Sequence, residues 1–163
     1  MKRRTNYLAT RLTRGALIAA LYVALTYLSF GFASGVIQLR VSECLCIMPL
    51  FMPEAILGLT VGCILSNLIT GCVFWDIVFG SLATLVGATL AYFLRFLPEK
   101  LKWMATIPTI LANAFIVPAV LIYAYGAPES YWFLVFTVGL VEIAGAGVLG
   151  SILYYSVRKV KFD

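Results

Sequence analysis

Arg40 and Glu43 stand three residues apart in Ile37-Gln38-Leu39-Arg40-Val41-Ser42-Glu43, in a chain that is 63% hydrophobic. In so apolar a chain an ionisable side chain away from the membrane surface costs about 2.5–3.5 kcal/mol on insertion scales, so each is a functional candidate by default. The strongly polar residues outside the basic clusters are few: Gln38, Arg40, Glu43, Glu54, Asn67, Asp76, Asn113, Glu129 and Glu142. This set is rich in acceptors. A carboxylate accepts two parallel hydrogen bonds from an N–H/NH₂ edge such as that of guanine. An asparagine or arginine satisfies a ring carbonyl, and a second carboxylate neutralises a pendant amine. Trp75 beside Asp76 also suits a cation over an aromatic face. The set fits a flat, polar, donor-bearing heterocycle, and composition does not choose among such ligands.

The elements that must position these groups are membrane helices. A spanning helix needs about 20 mostly apolar residues. Apolar runs of that kind occupy 16–32, 53–69, 75–94, 103–125 and 131–157, with a shorter one at 41–52. Basic residues cluster before the first run (Lys2, Arg3, Arg4, Arg11, Arg14), between the long fourth and fifth helices (Arg95, Lys100, Lys102) and after the last (Arg158, Lys159, Lys161). Under the positive-inside rule all three clusters are cytoplasmic. The expectation is an all-α membrane protein, a single domain over 1–163, with six transmembrane helices, a short second helix and both termini cytoplasmic. Arg40 is then the one basic residue that topology does not explain. The net charge of +5 reflects orientation, not nucleic-acid binding. The basic start is read as leading into a retained helix, not a cleaved signal.

In this topology Asn113 lies about 15 Å up the fifth helix and Glu142 about 17 Å down the sixth, both near mid-membrane. Arg40, Glu43, Asn67 and Asp76 fall at outer helix ends. Glu142 has no lysine or arginine at its depth, so its carboxylate must be protonated, solvated or paired with a ligand. Glu54 begins the third helix, where it complements the helix dipole, and Glu129 is a loop or cap residue. Arg40 and Glu43 share a helix face and could equally neutralise each other. Trp75, Tyr123, Tyr125, Tyr131 and Trp132 also fit an interfacial aromatic belt. The four cysteines read as small packing residues.

Small residues recur four apart at Ala16/Ala20/Ala24, Gly58/Gly62/Ser66 and Ala83/Gly87/Ala91, a spacing that lets helix backbones approach. The alanine stripe has no polar task beside it and could serve as an outer docking face. Pro49 and Pro53 bracket a tight turn, and Pro118 interrupts the fifth helix.

The blocks Gln38-Leu39-Arg40-Val41-Ser42-Glu43, Met48-Pro49-Leu50-Phe51-Met52-Pro53-Glu54-Ala55, Asn67, and Trp75-Asp76-Ile77-Val78-Phe79-Gly80-Ser81-Leu82-Ala83-Thr84 resemble the QueT family. Its members are substrate-binding S components of energy-coupling factor (ECF) transporters. The likeness runs from about Gly15 to Tyr155. It implies a six-helix protein of the bacterial plasma membrane that captures a queuosine precursor. The expected ligands are the 7-cyano or 7-aminomethyl 7-deazaguanine base, or queuine. It also implies a membrane coupling protein and two ATPases as partners, with ATP used there and no cofactor in this chain. Ala16, Ala20 and Ala24 match the alanine face by which such proteins dock, and the family topples in the membrane to deliver its cargo. On this reading Arg40, Glu43, Asn67, Trp75, Asp76, Asn113 and Glu142 form the substrate site. Glu142 and Asn113 read the guanine-like edge, Asp76 or Glu43 faces the 7-substituent, Arg40 meets the carbonyl or pairs Glu43, and Trp75 covers the ring. The alternatives are an S component for another vitamin such as thiamin, an intramembrane enzyme, or a channel. The chain lacks histidine and shows no nucleophile–base pair, which disfavours the enzyme, and its polar groups form no path to both faces.

Overall fold

The computed structural model describes residues 2–30 and 40–160, with side chains from 8 to 29 and 40 to 160; Gln38 and Lys161 lie outside them. The helices are α1 (Lys2–Phe30), α2 (Val41–Leu50), α3 (Glu54–Ile69), α4 (Phe74–Phe93), α5 (Ile107–Tyr125) and α6 (Tyr131–Val157). Short 3₁₀ segments, Leu94–Phe96 and Glu99–Thr106, join α4 to α5. No strand occurs among the described residues. An all-helical answer follows from the solvent, because lipid offers backbone groups no partners and a helix satisfies them internally.

Four segments are long and apolar enough to cross a bilayer: Leu8–Ser29, Phe74–Phe96, Glu99–Tyr125 and Tyr131–Val157. Helices α2 and α3 are apolar but shorter. Helix α2 is a 3₁₀ helix of 10 residues. Its rise of about 2.0 Å per residue gives it some 20 Å of length where an α-helix would have about 15 Å. So long a 3₁₀ run is uncommon. It ends at Pro49 and Leu50, and Phe51 and Met52 turn back onto the Met48 carbonyl before α3 begins at Glu54.

The short helix sits inside the bundle. Ser42, Glu43, Leu45, Cys46, Ile47, Met48 and Pro49 are all buried, and α2 packs against α1, α4 and α6. Around it α1 lies along α3, α3 along α4, and α4 along α5, which in turn packs on α6. Two of these contacts demand glycine. A Cβ on Gly58 would stand 2.6 Å from the Gly15 carbonyl, and one on Gly87 would stand 2.8 Å from the Thr109 Cα. The stripes that carry these glycines are therefore packing faces inside the bundle.

Helix α1 has two distinct faces. Ile18, Tyr22 and Thr26 are buried, whereas Ala16, Ala20 and Ala24 are exposed. An offset of two residues turns a helix by about 200°, so the two stripes look in opposite directions. At one end of α1, Arg11 and Arg14 reach Glu54 at 3.3 and 3.6 Å. The residue expected to complement the α3 dipole thus also has two cationic partners. Cys46 and Cys63 are buried.

Candidate functional site

The isolated polar residues of four helices, α2, α4, α5 and α6, converge on one narrow cleft of about 40 Å³. Arg40, Glu43, Asp76, Asn113 and Glu142 line it, with Gly80 and Thr84 between them. Val117, Leu121, Val138 and Val141 complete the wall with apolar surface.

Glu142 closes the regular α-helical part of α6, and the π-helical segment Ile143–Leu149 follows directly. Such π turns occur often at functional sites. Here the segment carries Gly145 and Ala146 buried, and it packs on α2. Glu142 is only 9% exposed, and its Oε2 has no hydrogen-bond partner among the described residues. Its amide neighbour is Asn113 of α5. An orphaned carboxylate oxygen in a buried cleft is the kind of group that a ligand donor satisfies.

Arg40 is half-buried at the start of α2, in extended backbone that sends the chain into the bundle. Among the described residues its guanidinium makes no hydrogen bond and no ion pair within 4.0 Å. It lies within electrostatic reach of Glu43 and Asp76. Glu43 instead accepts a hydrogen bond from the Tyr22 hydroxyl at 2.5 Å. One helical step earlier on α2, the Ser42 hydroxyl meets that of Thr26 at 2.7 Å.

Asp76 opens α4. Its Oδ2 accepts from the Tyr125 hydroxyl at 3.0 Å, and the same hydroxyl oxygen accepts from the Val73 N–H at 3.3 Å. Asn67 is fully buried behind this wall, donating through Nδ2 to the Asp76 backbone carbonyl at 3.4 Å, and does not line the cleft. Trp75 does not reach it either. It is 56% exposed, stacks on Phe79 at 6.0 Å, and borders a separate apolar groove with Tyr123. Tyr123 and Trp132, at 89% and 72% exposed, are outward-facing as belt residues would be.

Four residues of the site have no place in the sequence-derived polar set. Tyr22 and Tyr125 anchor the two carboxylates, while Gly80 and Thr84 floor the cleft. A signal existed for Tyr22, because Tyr22, Thr26 and Ser29 form a polar stripe at helical spacing on α1. Gly80 and Thr84 continue from Asp76 in steps of four along α4.

Comparison with known proteins gives one consistent answer. A family profile described as "QueT transporter" matches residues 12–159. The chain is also similar to the queuosine precursor transporter QueT of Lactococcus lactis subsp. cremoris (strain MG1363), at 39% identity over 82 residues, which is 48% of this chain and 47% of that protein. The matched stretch thus spans about half the length of that curated relative. No solved structure matches. The chain belongs to the QueT transporter family: it is a multi-pass cell-membrane transporter protein and not an enzyme.

Proposed function

We propose that this protein is the substrate-binding S component of an ATP-dependent ECF importer for a queuosine precursor, a 7-deazaguanine base. The observation that carries the reading is the buried, unpartnered Glu142 oxygen in an acid-rich cleft between helices. Glu142 with Asn113 takes the N–H/NH₂ edge of the base, and Arg40 meets its carbonyl. Asp76 or Glu43 faces the 7-substituent. Asn67 acts from behind by holding the Asp76 backbone, and Trp75 lies at the margin, outside the cleft. With its ring turned outward, Trp75 no longer supports a thiamin-like cation stacked upon it.

In this reading all six helices cross the membrane with both termini cytoplasmic, and 1–163 acts as one domain. An impermeant amine-reactive label that modified Lys100 from outside intact cells would overturn that topology. The exposed Ala16/Ala20/Ala24 face docks on the membrane coupling protein, and two partner ATPases use the ATP.

The test is a calorimetric titration of detergent-purified protein with the 7-aminomethyl base, the 7-cyano base, queuine, guanine and thiamin. Tryptophan fluorescence is a poor reporter, because Trp75, Trp103 and Trp132 all lie off the cleft wall. Tight binding of a deazaguanine with guanine much weaker supports the reading. Binding of thiamin alone keeps the importer and replaces its substrate.

A further inference from the structure

We infer that the cleft selects a cationic ligand, and that Asp76 with Gly80 forms an ammonium subsite, so that a 7-deazaguanine with a primary amine on its 7-substituent binds in preference to the neutral 7-cyano base. This rests on the deazaguanine reading above and names the substrate class within it.

Charge is the first argument. Three carboxyl groups, Glu43, Asp76 and Glu142, line the cleft against one guanidinium, Arg40. Among the described residues no lysine and no second arginine lines it. If Glu142 takes the neutral donor edge of the base, Glu43 and Asp76 share a single cation. A neutral edge leaves the Glu142 charge in place, so with a neutral ligand three carboxylates face one cation, and a buried charge without a counter-charge is costly. A ligand bearing an ammonium reduces that cost, and a nitrile does not.

Glu43 and Asp76 each spend one oxygen on a tyrosine, and the space beside the other oxygen is what separates them. Glu43 is held by Tyr22 and stands three residues from Arg40 on the same short helix. Asp76 spends Oδ2 on Tyr125, and no hydrogen bond occupies its Oδ1 among the described residues. Tyr125 thereby fixes the carboxylate plane. Beside Oδ1 the chain has Gly80, one turn further along α4, where a Cβ would stand 3.3 Å from Oδ1 and 3.3 Å from the Asn67 Nδ2. The missing side chain leaves room next to the free oxygen, and Gly80 itself lines the cleft. Thr84, a further turn on, adds a hydroxyl oxygen at the same wall. An ammonium carries three donors and no acceptor, which matches these oxygens. A nitrile nitrogen is an acceptor and would face an acceptor.

The test compares the 7-aminomethyl and 7-cyano bases by calorimetry on wild-type protein, Asp76→Asn and Gly80→Ala. Both bases share the edge assigned to Glu142 and Asn113, so the comparison isolates the 7-substituent. Expected is at least tenfold tighter binding of the amine by wild-type protein. In Asp76→Asn that preference falls below threefold through loss of amine affinity, and a thermal unfolding midpoint near the wild-type value shows that the protein is folded. Should Asp76→Asn not fold, Gly80→Ala carries the comparison, and a loss specific to the amine is expected there. Tight and equal binding of the two bases by wild-type protein overturns the ammonium subsite and leaves the deazaguanine reading standing. Binding of neither base by folded protein overturns both. Amine-specific loss in Glu43→Gln with none in Asp76→Asn or Gly80→Ala overturns the assignment to Asp76.

Discussion

The Tyr22 hydroxyl donates to the Glu43 carboxylate across 21 residues of sequence, tying α1 to the polar face of the central short helix. Both partners are buried. The bond leaves Arg40, the obvious partner for Glu43, without an ion pair among the described residues and facing the cleft.

Replacing Tyr22 by phenylalanine removes one buried, charge-assisted hydrogen bond, a loss of about 1.5–3 kcal/mol. Thermal unfolding in detergent should shift down accordingly. An unchanged midpoint would mean that Glu43 finds another donor, with Arg40 the nearest candidate.

Glu142→Gln should weaken binding of the proposed deazaguanine by about tenfold to a hundredfold, the range for a charge-assisted contact. Glu54→Gln, at the far end of α3, should change it less than threefold. Equal losses in a titration would remove Glu142 from the site.

Trp75→Phe should leave affinity within about twofold, because the ring contacts Phe79 and the outward groove and not the cleft. A tenfold loss would show that the tryptophan turns inward when ligand is bound.

Gly87→Leu places a side chain where even a Cβ would lie 2.8 Å from the Thr109 backbone. Overpacking of this kind costs about 1–3 kcal/mol, and the α4–α5 contact should open, lowering thermal stability.

Ala20→Trp should abolish co-purification with the proposed coupling protein while ligand binding stays within about twofold. The residue is exposed on the face of α1 turned away from Tyr22. Loss of both activities together would place Ala20 in the folding of the bundle.

Much of this site can be read from the chain, because a lone acid in an apolar run has few reasons to exist. Arg40, Glu43, Asp76, Asn113 and Glu142 stand out on that ground, and the structure gathers them at one cleft. What the chain withholds is the direction of each side chain around its helix. Trp75 and Asp76 are neighbours, and consecutive residues in a helix point about 100° apart. With Asp76 turned to the cleft, Trp75 turns away. Asn67 has the right depth but faces the first turn of α4, where it holds the Asp76 backbone carbonyl. Tyr22 and Tyr125 stay hidden for another reason: an apolar ring with a polar tip reads as packing or as interfacial belt, and only three dimensions reveal what the tip touches.

The opposed faces of α1 make that helix a crank. Its exposed alanines and its Tyr22 hydroxyl are rigidly joined, so whatever grips the outside also holds one wall of the cleft through Glu43. A side-chain tip lies about 5–6 Å from a helix axis, so a turn of about 30° sweeps it through roughly 3 Å. That distance is enough to part a hydrogen bond. A grip on the outer face can therefore loosen one wall of the cleft without any signal passing through the other helices.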